Sequence, residues 1–425
     1  MKKLLIFAYY FPPMGMGGVQ RITKFCKYLP EFGWQPTVIT VKNTVYYGFD
    51  ETLLDEIPLT KIYRTESLDP LRVAFKLGAK KEIKPSKSSQ KSILNFMSEL
   101  FLPDNKILWA PFAIQKAVEL FKREEFDAIL TTSPPHSIHF IGLYLKRKFG
   151  IPWVADFRDP WADSYLEQEN SSFKNSILRR MEKKILKNSD LVVSFNHKCS
   201  EDFLQKSLNL KNKLITITNG FDKSDFNFLM PKEVQPKFTL TYLGSISKYA
   251  NPKRILLALK KLSEKVGKEK IIVKFIGTFT NNEIWNEIQA FSEFVEIQRI
   301  GYLSHSEALL EASKSDVLFL FTEENGTGVV PSSKIYEYLA FRKQVLAVLP
   351  DSDTKKILDE IDNARVCEPK DEEGILQAVS EFYQNWENGD LNLNESEISQ
   401  FERRILTKKL AETLGTFTNK KSPIQ

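Results

Sequence analysis

An α/β fold of two Rossmann-like domains facing across a cleft is what this sequence predicts, and three observations carry the prediction. Short β-branched apolar runs bounded by turn residues alternate with segments of helical period, the pattern of βαβ units that build helix-covered parallel sheets. The pattern occurs twice, and 425 residues suit two cores better than one. Glycine-containing and polar segments recur where the runs end, which is where open α/β sheets bind ligands.

The first series of strands falls at 4–9, 36–41, 128–131, 153–156, 191–195 and 214–218, with helices such as 19–30 and 113–122 between them. The second falls at 238–243, 271–276, 295–297, 317–321 and 344–348. Two prolines and little periodicity mark 223–237 as a linker, which sets the domains at 1–228 and 237–400. A helical stretch at 401–414 (FERRILTKKLAETL) follows a polar run long enough to carry it away from the second sheet. Residues 401–425 are therefore expected to return to the N-terminal domain. Residues 76–91, dense in lysine and serine, read as a surface loop.

Composition narrows the class. The chain is 42% hydrophobic and 27% charged. It contains no run of about 18 apolar residues, so no transmembrane helix is expected. The opening MKKLLIFAYYFPP copies a signal peptide superficially, but prolines interrupt it and no small-residue cleavage site follows, so it reads as a first buried strand. Cys26, Cys199 and Cys367 are widely separated, which suggests neither a disulfide framework nor a zinc site and fits a reducing, cytoplasmic setting. A net charge of +6 is modest at this length, and no nucleic-acid partner is expected.

Several strand ends carry the groups that chemistry needs. YYFPPMGMGGVQR places Gly15, Gly17 and Gly18 between a strand and a helix, where backbone N–H groups approach an anion closely; a purely conformational role for the glycines competes. TTSPPHSIH ends another strand, and His136 is a candidate hydrogen-bond donor or acid there, while His139 is expected to cap or pack the following helix. ADFRDPW then brings together Asp156, Arg158, Asp159 and Trp161. Carboxylates accept hydroxyl hydrogen bonds and rings cover apolar sugar faces, so the group suits a sugar hydroxyl site; a structural Arg–Asp pair is the competing reading.

In the second half, Gly244 and Ser245 repeat the strand–glycine–helix arrangement. Lys248 and Lys253 are candidates to neutralise a departing diphosphate, against the competing reading of solvated surface lysines. The most informative stretch is EENGTGVVPSSKIYEYL. A glycine-rich turn leads to a Pro-Ser-Ser helix start whose free N–H groups suit phosphate, which makes Gly328, Val329, Val330, Ser332 and Ser333 donor-binding candidates. Lys334 and Glu337 are three apart and share a helix face, with Tyr336 and Tyr338 expected to flank it. On this reading Glu337 accepts hydrogen bonds from two ribose hydroxyls, and the helix is largely buried.

Taken in order, FPPMGMGGVQRITKFCKYLPEFGWQPTVIT, TTSPPHSIH, ADFRDPW, ITNGFD, YLGSI and PSSKIYEYLAFRKQVLAV resemble the GT-B glycosyltransferases of family four, over nearly the whole chain. The resemblance implies a retaining glycosyltransferase with no bound metal or cofactor, acting in surface-polysaccharide or glycoconjugate biosynthesis. Its partners would be a nucleotide-sugar donor and a glycan or lipid-linked acceptor. It also implies that Gly17 and Gly18 lie near the donor phosphates and that Glu337 matches the second glutamate of the family's paired motif. Three departures follow. The first glutamate's position is Val329, which leaves that contact to Glu323, Glu324 or the 326–328 loop; the usual arginine is Ser245; and the usual lysine is replaced by Lys248 or Lys253.

The 173–187 helix sets Arg179, Arg180, Lys183 and Lys184 beside Ile177, Met181 and Ile185. That pattern suits an anionic membrane surface on the cytoplasmic side, and equally a solvated helix face. A nucleotide-sugar 2-epimerase of the same architecture and a non-catalytic binding subunit are the rival functions.

Overall fold

The computed structural model describes residues 1–81, 101–162, 171–227, 236–246, 252–279, 282–322, 334–390 and 396–419. The chain divides into two compact units, Met1–Asn219 with Arg403–Gln425, and Gly220–Glu402. Phe221 and Phe226 belong to the core of the second unit, so the change of unit falls ahead of the 223–237 run. Residues 228–235 of that run lie outside the described residues.

Unit 1 is built on seven strands: β1 (Lys2–Phe7), β2 (Trp34–Val41), β3 (Lys61–Thr65), β4 (Ala128–Ser133), β5 (Trp153–Phe157), β6 (Leu191–Ser194) and β7 (Leu214–Thr216). They form one parallel sheet in the order β3-β2-β1-β4-β5-β6-β7, with Leu4 of β1 opposite Ala128 of β4. The order reverses between β1 and β4, which makes the carboxyl ends of these two strands the topological switch point. Central strands are buried on both faces, and their inner segments read as short apolar runs, 4–7 in β1 and 128–130 in β4. β3, at the sheet edge, is half-exposed and carries Lys61 and Arg64, and this charged pattern hid it from sequence reading.

Close packing fixes how helices lie on this sheet. The helix Ile138–Phe149 presents Gly142 to Trp153, and a Cβ at position 142 would come within 2.1 Å of the indole nitrogen. The same nitrogen donates to Thr131 Oγ1 at 2.9 Å. The C-terminal helix Arg403–Asn419 packs against the first helix, Gly17–Tyr28, through Leu406, Leu410, Ala411 and Leu414. Each buried leucine contributes about 2 kcal/mol. Trp34 Nε1 donates to the Ala411 carbonyl at 3.2 Å, and Arg404 pairs with Glu31 at 2.6 Å. Lys76 ends a helix, Pro70–Lys76, and pairs with Glu66 at 3.0 Å, which corrects its reading as the start of a loop. Residues 82–91 of that segment lie outside the described residues.

Unit 2 carries β8 (Phe238–Leu243), β9 (Ile271–Ile276), β10 (Glu296–Ile300), β11 (Val317–Phe321), β12 (Gln344–Val348) and β13 (Ala364–Cys367). These form a second parallel sheet in the order β10-β9-β8-β11-β12-β13. The switch point lies between β8 and β11. Hydrophobic clusters cover both faces of the sheet. Edge strand β13, partly exposed and interrupted by Arg365, went unread in the sequence. Among the described residues no helix is long and apolar enough to cross a membrane.

Candidate active site

At the switch point of unit 1, three chain segments meet at Arg158. Its Nε donates to the Ser133 carbonyl at 2.8 Å, Nη2 to the Pro134 carbonyl at 2.8 Å, and Nη1 to the Gly18 carbonyl. The loop after β1, the loop after β4 and the end of β5 are thus tied by one guanidinium. Burial pulls the Arg158 pKa down, and Asp159 and Asp156 oppose that shift. With its nitrogens directed at backbone carbonyls, Arg158 holds these loops together. Gly17 and Gly18 open the first helix with exposed backbone, and its N-cap, Met16, sits at φ 72° without a side-chain cap. Uncapped N–H groups at a helix start carry partial positive charge.

Asp156 is engaged in a buried ion pair. Its carboxylate meets Arg21 at 2.8 Å, both side chains only 1% exposed, and accepts from Thr132 Oγ1 at 2.7 Å. Arg21 also donates to the carbonyls of Ile217 and Thr218 at 2.9 and 2.7 Å. The pair ties β5 to the chain leaving β7, the structural ion-pair reading that the sequence left open for this group. Trp161 is likewise unavailable to a sugar face. It is 1% exposed and stacks on the His136 ring, centroids 5.0 Å apart.

Burial pushes the His136 pKa down to about 3, with the Arg158 charge adding to the effect. The ring is neutral at physiological pH. In that form it can exchange hydrogen bonds with its surroundings. His139 is a core residue, its Nδ1 2.8 Å from Thr131 Oγ1. Asp159 differs from its neighbours. It keeps some exposure, burial raises its pKa against the pull of Arg158, and its carboxylate makes no hydrogen bond among the described residues.

In unit 2 the switch point assembles Gly244, Ser245 and Lys334. Gly244 follows β8 with φ 129°, and a Cβ there would fall 2.1 Å from Lys334 Cε, so the lysine lies directly over the glycine backbone. Lys334 Nζ donates to the Tyr242 hydroxyl at 2.5 Å and sits 4.2 Å above the same ring. Ser245 Oγ pairs with Thr278 Oγ1 at 2.8 Å. The helix Lys334–Ala340 is buried through Ile335, Tyr336, Tyr338 and Leu339, while Lys334 and Glu337 keep partial exposure. Tyr336 and Tyr338 are buried and do not flank that face, which corrects the expectation for them. Tyr338 OH accepts from Leu243 N at 2.9 Å and donates to the Phe319 carbonyl at 3.2 Å, while Tyr336 packs on Phe401.

Glu337 has a partner that sequence reading missed. His305 Nε2 donates to Glu337 Oε1 at 2.9 Å, and its Nδ1 lies 3.8 Å from Asp225. His305 opens the helix His305–Ser313 inside a Ser304–Glu307 capping box, so the one legible signal there was for a helix start. Lys253 is the exposed first residue of the helix Lys253–Val266. The triplet Asp351-Ser352-Asp353 opens another helix, with Ser352 Oγ accepting from Lys355 N at 3.2 Å. Lys248, Glu323, Glu324, Gly328, Val329, Val330, Ser332 and Ser333 lie outside the described residues.

Residues 16–225 match the family model Glycosyltransferase Family 4. No curated protein matches the chain in sequence. Among solved structures the chain is similar to Anabaena HepE in complex with UDP-glucose, with a TM-score of 0.64 and 14% identity over 98% of this chain and 100% of that one. A glycosyltransferase from Rickettsia africae gives a TM-score of 0.64 and 15% identity, covering 98% of both chains. S. aureus MnaA with UDP gives 0.55 and 11%, covering 99% of this chain and 97% of that one. At these identities the likeness is one of fold.

Proposed function

We propose that this chain, a GT-B glycosyltransferase that belongs through residues 16–225 to Glycosyltransferase Family 4, moves a sugar with retention from a nucleotide-sugar on unit 2 to a glycan or lipid-linked acceptor on unit 1. The observation that carries the donor assignment is the grouping of Gly244, Lys334 and Glu337 at the switch point of the second sheet. There the Lys334 ammonium takes the charge of the diphosphate, and Glu337, held on one oxygen by His305, offers the other to the ribose hydroxyls. Lys253, at the start of its own helix, is the described candidate for a second cation. HepE was solved with UDP-glucose and MnaA with UDP, which makes UDP the first nucleotide to test.

Transfer breaks the bond between the anomeric carbon and the donor phosphate oxygen, and the electron pair leaves on the diphosphate. The acceptor hydroxyl oxygen forms the new bond on the same face, and its proton passes to the departing phosphate. Charge held in advance near that oxygen lowers the barrier. On unit 1, Asp159 receives acceptor hydroxyls, and Arg158 fixes the loops around it. No metal or cofactor is required in this scheme.

Calorimetry with UDP tests the donor site. The wild-type chain binds, and Glu337→Ala weakens binding about tenfold or more. Unchanged affinity removes the ribose assignment. Assays of transfer against UDP-, GDP- and dTDP-sugars separate a transferase from an epimerase, which needs no acceptor, and from a binding subunit, which turns nothing over.

The helix Ser172–Asn188 supports a peripheral membrane role. It exposes Arg179, Arg180, Lys183, Lys184 and Lys187, and Phe173 at its start is 77% exposed. Each such cation near an anionic surface contributes about 1 kcal/mol. Flotation with anionic liposomes checks this, and failure to bind with or without anionic lipid removes it.

A further inference from the structure

With Trp161 buried, the exposed rings of unit 1 lie elsewhere. Tyr10 follows β1, and Tyr46, Tyr47 and Phe49 follow β2, so all four stand at the carboxyl edge of the sheet beside its switch point. Tyr46 is the hub, with centroid distances of 5.4 Å to Tyr10, 5.8 Å to Tyr47 and 6.2 Å to Phe49. Tyr47 is 58% exposed, and Tyr10, Tyr46 and Phe49 each keep part of their surface in water. Single exposed aromatics are ordinary, but a contiguous group of them at a ligand edge is not.

The two loops that carry these rings are built as one piece. Gly15 N donates to the Gly48 carbonyl at 2.9 Å, Asp50 N donates to the Pro13 carbonyl at 2.8 Å, and Met14 bridges to Phe49. Lys81 Nζ lies 4.1 Å over the Phe49 ring. The 12–18 loop that bears this stitching also supplies the Gly18 carbonyl that receives Arg158. Tyr46 is near enough to Arg158 to act on its charge. The shelf of rings and Arg158 therefore border one another across a single loop.

We infer that Tyr10, Tyr46 and Tyr47 form an acceptor subsite that takes a pyranose ring, whose apolar C–H face lies on the tyrosines while its rim hydroxyls reach Asp159. This rests on the reading that unit 1 holds the acceptor. The chemistry favours a polyol over a hydrocarbon tail. Three of the four rings carry hydroxyls, and the shelf is bordered by Lys81, Arg158 and a carboxylate that has no hydrogen-bond partner among the described residues. A lipid chain would desolvate the Asp159 carboxylate without offering it a hydrogen bond.

Saturation-transfer NMR on the full chain tests the assignment, with methyl β-glucopyranoside, methyl β-galactopyranoside and cellobiose as probes and an isoprenyl phosphate as the lipid comparison. The expected result is transfer to the C–H protons of one pyranose face. Tyr47→Ala, at an exposed position, weakens binding about threefold to tenfold, and Tyr46→Phe retains it. UDP affinity measured on the same variants stays at the wild-type value. That separates a failure here from a failure of the donor assignment on unit 2. Absence of transfer to every pyranoside, equal transfer in Tyr46→Ala and Tyr47→Ala, or transfer to the isoprenyl phosphate alone overturns the inference.

Discussion

Replacing Asp156 with alanine should cost stability before it costs chemistry. The Arg21–Asp156 pair is closed at 2.8 Å with both side chains 1% exposed, and Thr132 adds a hydroxyl at 2.7 Å. Removing the carboxylate leaves a guanidinium in the interior with only the Ile217 and Thr218 carbonyls to meet it. Breaking one side of such a buried pair costs about 3–5 kcal/mol. For a domain of this size, each kcal/mol lowers Tm by about 2–4 °C, so the unit should melt roughly 6–20 °C lower. Scanning calorimetry of the full chain reads this directly. Arg21→Met with Asp156→Leu removes both charges together and should recover much of the loss. A wild-type melting temperature for Asp156→Ala combined with lost transfer would refute the structural assignment and return Asp156 to the reaction.

Three other outcomes are expected. His136 titrates near 3 when folded and near its ordinary value of about 6.5 when unfolded. The unfolded chain therefore binds the extra proton between these values, and stability falls as pH drops from about 6.5 toward 3. Urea unfolding at pH 7 and pH 4.5 should show that loss, and His136→Phe should reduce it. Gly244→Ala forces a residue at φ 129° to carry a side chain into Lys334. It should cost about 1–3 kcal/mol and lower UDP affinity by displacing the lysine, with chemical denaturation and calorimetry as the readouts. His305→Ala releases Glu337 and should weaken UDP binding about threefold to tenfold, while His305→Gln, whose amide can still donate, retains most of it. Equal UDP affinity in all three proteins would show that His305 does not position Glu337.

Legibility followed burial. The strands 238–243, 271–276, 317–321 and 344–348 match the observed limits because both faces are covered and their sequences are mostly apolar. β3 and β13 are hard to read because Lys61, Arg64 and Arg365 interrupt their short, half-exposed runs at the sheet edge. The same logic governs the candidate site. Lys334 and Glu337 announced a shared face by spacing alone, and the structure keeps both partly exposed. Asp156, Arg158, Asp159 and Trp161 are neighbours along the chain, yet they divide into a buried ion pair, a loop tie, a carboxylate with no hydrogen bond among the described residues, and a buried ring. Nothing local separates them.

Hydrophobic period and strand-end chemistry, both properties of a few consecutive residues, were enough to determine the α/β class, the two series of βαβ units and the helix that bears Glu337. Partnership was not, because it depends on residues far apart in sequence. Arg21 finds Asp156 across 135 positions, and His305 finds Glu337 across 32. Whether a charged or aromatic side chain is satisfied by the protein or left for a ligand is settled only when distant segments pack. That is why only the tertiary structure buries Asp156 and Trp161 and leaves Tyr10, Tyr46 and Tyr47 partly exposed at the carboxyl edge of the first sheet.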